Sequence, residues 1–193
     1  MKERPGSPRV RLFVALDLPE QIVAPLARWT ADAFGAHPDL RPMRPESLHV
    51  TLAFLGYMYE RDVERIAATA FAQDFPPIEL RPVEVQPVPR SRPRLFALQL
   101  EDPGKRLGAW QRALAERLHA AGLYEPEKRP FWPHVTLARA KRGKTPRGIA
   151  VPELTEDLRR PFEADTVTLY QSTLRPQGAV YEALAEGKKT PVH

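Results

Sequence analysis

Two four-residue phrases of identical spelling, His49-Val50-Thr51-Leu52 and His134-Val135-Thr136-Leu137, commit two of the chain's five histidines to the same spacing from a threonine. In an extended segment side chains alternate faces with period two. His49 and Thr51 therefore share one face and Val50 and Leu52 the other, and the same division holds for His134 and Thr136 against Val135 and Leu137. Each strand keeps an apolar face for a core and offers an imidazole beside a hydroxyl. Imidazole titrates at about pH 6.5, so near neutrality one of two rings can accept a proton while the other donates one. Hydrolysis of a phosphodiester needs such a pair, because attacking water loses a proton and the leaving oxygen gains one; each transfer is worth about 10²- to 10⁴-fold. The threonine hydroxyls can donate to the non-bridging phosphate oxygens.

Other chemistries lack their residues. Metal-ligand spacings such as H-x-H and H-E-x-x-H are missing, as is the G-x-S-x-G of a serine hydrolase. Without cysteine there is no disulfide, thiol nucleophile or Cys-ligated metal, which fits a reducing cytoplasm. No metal and no cofactor are expected. Twenty-nine Lys and Arg against 24 Asp and Glu give a net charge of +5 and favour an anionic partner. No segment approaches the roughly 18 apolar residues of a membrane span, so no membrane partner is expected.

The elements that must position the histidines read as follows. At 193 residues the chain is expected to be one compact unit, a single domain over 1–193. Its 22 prolines, about twice the usual share, gather in connections such as "RPMRPES", "PVPRSRPR" and "KRGKTPRGIAVPE". "VRLFVALDL" reads as a buried strand, and Asp17 with Glu20 as a capping box opening a helix on which Ile22, Leu26 and Trp29 recur. "SLHVTLAFL" is the next strand. A helix follows with Val63, Ile66, Ala70 and Phe71 on one face, then the proline-interrupted strand "IELRPVEVQPV" at a sheet edge. The second half repeats the order: "RLFALQLE" echoes "RLFVALDL", Asp102-Pro103 starts a helix lined by Leu107, Trp110, Leu114 and Leu118, Gly122 stops it, and "PHVTLARA" follows. A basic loop, a helical turn around Leu154 and Leu158, and the strands "DTVTLYQSTL" and "AVYEALAE" complete it.

From Arg11 to His49 is 38 positions and from Arg94 to His134 is 40 (49 − 11 and 134 − 94). This internal repeat, with approximate halves 10–87 and 93–185 and a disordered tail 187–193, predicts an α+β fold of two pseudo-symmetric lobes. Each lobe would be a largely antiparallel sheet with helices on its outer face, and the two would bring their His-x-Thr strands together across a central cleft.

The stretches "RLFVALDLP", "LHVTLAFLG", "RPFWPHVTLARA" and "VTLYQSTLRPQGAVYEAL", in that order over nearly the whole chain, resemble the 2H phosphoesterases. Within them the chain is similar to the LigT-like RNA 2′,3′-cyclic phosphodiesterases, also called 2′-5′ RNA ligases. The resemblance implies hydrolysis of a 2′,3′-cyclic phosphate at an RNA 3′ end to a 2′-phosphomonoester, without metal or cofactor; separately, a cytoplasmic monomer is expected. By position it implies His49 as proton donor to the departing 3′ oxygen, His134 as the base that activates water, and Thr51, Thr136 and Arg139 as phosphate ligands. Arg139 has the opposite parity to His134 in a flat strand, so either the strand twists or bulges after Leu137 or the side chain curls around the edge. Phe13 is a candidate to stack on a terminal base, and "KRGKTPR" a candidate to steer the RNA backbone. RNA 2′-5′ ligation by the reverse reaction, a cyclic phosphodiesterase of tRNA processing, and a non-catalytic RNA- or nucleotide-binding module are the alternatives.

Overall fold

A computed structural model describes residues 8–188. Its elements are β1 (Arg9–Asp17), α1 (Glu20–Phe34), β2 (Leu40–Pro42), β3 (His49–Tyr59), α2 (Val63–Ala70), β4 (Ile78–Val88), β5 (Leu95–Glu101), α3 (Arg106–Ala120), β6 (His134–Ala140), α4 (Glu156–Arg159), β7 (Phe162–Ala164), β8 (Thr166–Arg175) and β9 (Gly178–Lys188). The architecture is the expected α+β, with all strand pairs antiparallel. The strands run in the order β7-β4-β5-β6-β3-β1-β8-β9, with β2 added on β6. Gly187 and Lys188, expected in the tail, instead complete β9 opposite Val167 and Thr166; residues 189–193 lie outside the described residues.

The two sides of the sheet meet where β3 and β6 pair through Val50 and Val135. Neither side is built from one half of the chain. β4, from the first half, pairs with β5 of the second, while β8 of the second half pairs with β1 of the first. The helices cross over as well. On α1, Phe34 packs on Phe96 of β5 with ring centroids 4.9 Å apart, and Trp29 Nε1 donates to the Glu153 carbonyl at 3.2 Å. On α3, Gln111 Nε2 donates to the Leu52 carbonyl of β3 at 3.0 Å.

Between helices and sheet lies one core, to which β1 gives Leu12, Val14 and Leu16, β3 gives Val50 and Leu52, and β6 gives Val135 and Leu137. Each such side chain contributes about 1.5–3 kcal/mol by leaving water. The α3 face is the predicted one, with Leu107, Trp110, Leu114 and Leu118 buried. Gly122 ends it at φ +68, with its own N–H on the His119 carbonyl and that of Leu123 on the Leu118 carbonyl. That is a Schellman cap, and the left-handed backbone it requires favours glycine. Asp102 serves this helix from a distance, its carboxylate accepting from the N–H groups of Arg106 and Gly108.

The capping box expected at α1 is not formed. Pro19 precedes the helix without a side-chain cap, and Asp17, still in β1, turns its carboxylate to Thr168 and Tyr170 of β8. Beyond Leu80 the free side of β4 carries Pro82 and Pro87, where no second neighbour needs their missing N–H.

Candidate active site

The antiparallel pairing of Val50 with Val135 sets the geometry of the site. It places His49 opposite Thr136 and Thr51 opposite His134 on the face away from the core. The two imidazoles are then diagonal neighbours, a relation in which residues lie about 7–8 Å apart and their Cβ atoms somewhat closer. One pocket on this face is lined by His49 and Thr51 from one phrase and Thr136 and Arg139 from the other, with Arg11, Phe13, Phe54 and Tyr181 around them. Within the described residues neither threonine hydroxyl is taken up by another protein group.

The parity problem of Arg139 is solved by a bulge at Leu137: Phe96 pairs with Ala138 and Ala97 with Thr136, so Leu137 is skipped. The first phrase does the same at its own leucine, since Val14 pairs with Ala53 and Ala15 with Thr51, skipping Leu52. Leucine and the following alanine are buried together in both strands, and the next residue returns to the pocket. That residue is Phe54 in one half-site and Arg139 in the other. A bulge withdraws a carbonyl from the ladder, and a buried carbonyl needs a donor. The Leu52 carbonyl accepts from Gln111 of α3, and the Leu137 carbonyl accepts from the Met43 N–H at 2.7 Å.

His134 is held in one tautomer. Its Nδ1 lies 2.8 Å from the Trp132 carbonyl, which can only accept, so Nδ1 carries the hydrogen and Nε2 is left as the acceptor. The Trp132 ring stacks on the imidazole at 4.2 Å. Burial lowers the pKa of His134, the Trp132 carbonyl opposes that shift, and Arg139 adds to it.

His49 sits among aromatic rings, 5.0 Å from Phe13, 5.4 Å from Tyr181 and 6.2 Å from Tyr170. Burial, then the positive charge of Arg139 and the proximity of His134, push its pKa down to about 4. At neutral pH it is uncharged. Behind the rings, Thr168 Oγ1 and the Tyr170 hydroxyl donate to Asp17 at 2.6 and 2.8 Å. Burial raises the pKa of Asp17, the two hydrogen bonds oppose the shift, and Glu186 adds to it.

Phe13 lines the pocket but is only 4% exposed. Its ring stacks with His49 and Tyr170 and meets the Tyr181 ring edge-on. In this position it backs His49 from within the ring cluster. The echo "RLF" also misleads by one residue: register makes Phe13 equivalent to Leu95, whereas Phe96 is a core residue, 1% exposed. The loop "KRGKTPR" contributes no side chain to the pocket lining.

Arg11, Tyr181, Tyr170 and Trp132 were not among the residues expected in the site. Arg11 is anchored by donating to Ser172 Oγ at 2.7 Å and lies over the Phe54 ring at 4.5 Å. Only Trp132, adjoining "PHVTL", had a sequence signal; strand pairing brings Arg11 and Tyr181 to the pocket and Tyr170 to the ring cluster behind it. Arg41 of β2 stands opposite Arg139 in register, and with Arg11 it adds to the positive field there. Among the described residues none of these three arginines is ion-paired, so the pocket carries an uncompensated positive charge suited to an anion.

The sequence matches the family model of the 2'-5' RNA ligase superfamily over residues 18–175. The RNA 2',3'-cyclic phosphodiesterase of Thermus thermophilus is 33% identical over 187 residues, covering 91% of this chain and 88% of that protein. The enzyme of the same name from Archaeoglobus fulgidus is 29% identical over 180 residues, covering 91% and 98%. Among solved structures, E. coli LigT complexed with 3'-AMP superposes with a TM-score of 0.79 at 26% identity, over 95% of this chain and 100% of that one. TT0787 of Thermus thermophilus gives 0.77 at 27% identity, over 92% and 97%. With its two bulged His-x-Thr strands facing one pocket and the family pattern running through both, the chain belongs to the 2'-5' RNA ligase superfamily, the LigT-like group of 2H phosphoesterases.

Proposed function

We propose that the chain hydrolyses the 2′,3′-cyclic phosphate at an RNA 3′ end to a 2′-phosphomonoester by two-histidine acid and base catalysis. The observation that carries this reading is the convergence of His49, Thr51, Thr136 and Arg139 on one pocket, with His134 set diagonally to His49 by the Val50–Val135 pairing. The relatives' shared designation as RNA 2',3'-cyclic phosphodiesterases supports it.

In this mechanism the phosphate sits between the imidazoles, its non-bridging oxygens taking hydrogen bonds from Thr51, Thr136 and Arg139. His134 Nε2 accepts a proton from water as the water oxygen bonds to phosphorus. His49 gives its proton to the 3′ oxygen as the P–O3′ bond breaks, leaving the phosphate on O2′. Burial and Arg139 keep His49 neutral in the free protein, so it takes up that proton together with the substrate, whose negative charge favours the charged ring. Because each side of the sheet borrows strands from both halves, the mechanism belongs to the chain as one unit and not to either half.

The deciding experiment is product analysis on an oligoribonucleotide ending in a 2′,3′-cyclic phosphate: a 2′-phosphate is expected, and a 3′-phosphate or an unchanged end would overturn the reading. Turnover is also expected to persist in excess EDTA, since among the described residues no three His, Asp or Glu side chains converge as metal ligands. EDTA inactivation reversed by added metal would contradict it.

The pH dependence follows from the signs of the shifts. The free protein must combine a protonated His49 with a neutral His134, and both pKa values are lowered, that of His49 to about 4. The optimum of kcat/KM is therefore expected below pH 6.5, as a property of the coupled pair. The optimum of kcat should lie higher, because bound phosphate favours the charged rings. A kcat/KM optimum at or above neutrality would show that the cleft does not hold His49 neutral.

A further inference from the structure

The pocket face of β1 and β3 continues outward past the pocket. Leu12, Val14 and Leu16 point into the core, so Phe13, Arg11 and Arg9 point to the other side. Their cross-strand partners are Phe54, Tyr57 and Tyr59, and directly opposed residues share a face. Rows two residues apart are separated by about 6.7 Å, which puts the row of Arg9 and Tyr59 about 13 Å beyond that of Phe13.

This outer strip has the composition of a nucleic-acid surface. Tyr57, opposite Arg11, is 61% exposed. The guanidinium carbons of Arg9 and Arg61 lie 4.6 and 4.5 Å from the centroid of the Tyr59 ring, and Arg9 Nη2 donates to the Tyr59 hydroxyl at 2.9 Å. The ring gathers two cationic groups at one point and holds both guanidiniums in place, which reduces the ordering cost of binding an anion there.

We propose that this strip is a track for the single-stranded RNA that leads into the pocket, resting on the reading of the pocket as the site of an RNA end. Tyr57 is the stacking platform for a base upstream of the terminal nucleotide, and Arg9 with Arg61 clamps a phosphate further upstream. The row spacing is close to the repeat of an extended nucleotide backbone, and exposed aromatic rings interleaved with arginine are how single strands are held without base readout.

The test is calorimetric binding of oligoribonucleotides of one to four residues with 3′-phosphate ends, at two salt concentrations. Affinity is expected to rise with the second and third residues. Tyr57→Ala should weaken trinucleotide binding about 10-fold, Tyr57→Phe should retain it, and the double substitution Arg9→Ala with Arg61→Ala should weaken it about 10-fold and flatten its salt dependence. None should alter mononucleotide binding, and unchanged melting temperatures would show the fold intact. Equal affinity for one and three residues, or variants that bind the trinucleotide like the parent, would overturn the track. Length-dependent binding without turnover of cyclic ends would sink the hydrolytic reading and leave the track standing; turnover without length dependence would do the reverse.

Discussion

Replacing either His49 or His134 by alanine is expected to lower kcat on a cyclic-phosphate RNA end by about 10²- to 10⁴-fold, the usual worth of one positioned proton transfer. The two losses should not add in the double variant, because acid and base act in one step. His119→Ala is the control: that histidine is largely exposed on α3, with its Nδ1 at the Tyr124 carbonyl, and its loss should leave kcat unchanged. Steady-state kinetics beside melting curves separates chemistry from folding. A near-normal rate in either single variant would rule out the two-imidazole mechanism.

Removing Arg139 is expected to have the next largest effect. As a preorganised charged donor to the phosphate, its replacement by alanine should reduce kcat/KM by about 10²- to 10³-fold. Lysine should recover only part of this, since an ammonium is a point charge without the fork geometry of guanidinium. Arg139 also lowers the pKa of both histidines. The Arg139→Ala variant should therefore show a kcat/KM optimum displaced to higher pH, a change that loss of phosphate contact alone would not produce. An optimum that stayed in place would mean that Arg139 does not act on the imidazoles.

Much of the fold was legible because burial leaves a periodic trace. The Leu107, Trp110, Leu114 and Leu118 face of α3, its stop at Gly122, and the alternation within His-Val-Thr-Leu all appear as read. The misreadings share one cause, a local pattern whose partner came from elsewhere. Asp17 and Glu20 have the spacing of a capping box, but β8 supplies Thr168 and Tyr170 to the Asp17 carboxylate. "RLF" occurs twice, yet the pairing of β5 with β6 is offset by one residue, so one phenylalanine backs His49 and the other fills the core.

By itself, then, the sequence determined that two imidazole-hydroxyl strands exist, that each has one apolar face, and that they sit at matching points of a repeat. It could do so because side-chain alternation and helical periodicity are local. Only the tertiary structure decided that the halves exchange strands, that Val50 meets Val135 and so sets the histidines diagonally, and that both strands bulge at leucine to return Phe54 and Arg139 to the pocket. Register, bulges and the depressed pKa of His49 depend on which distant groups supply hydrogen bonds, charge and cover, and those partners are chosen by packing across the whole sheet.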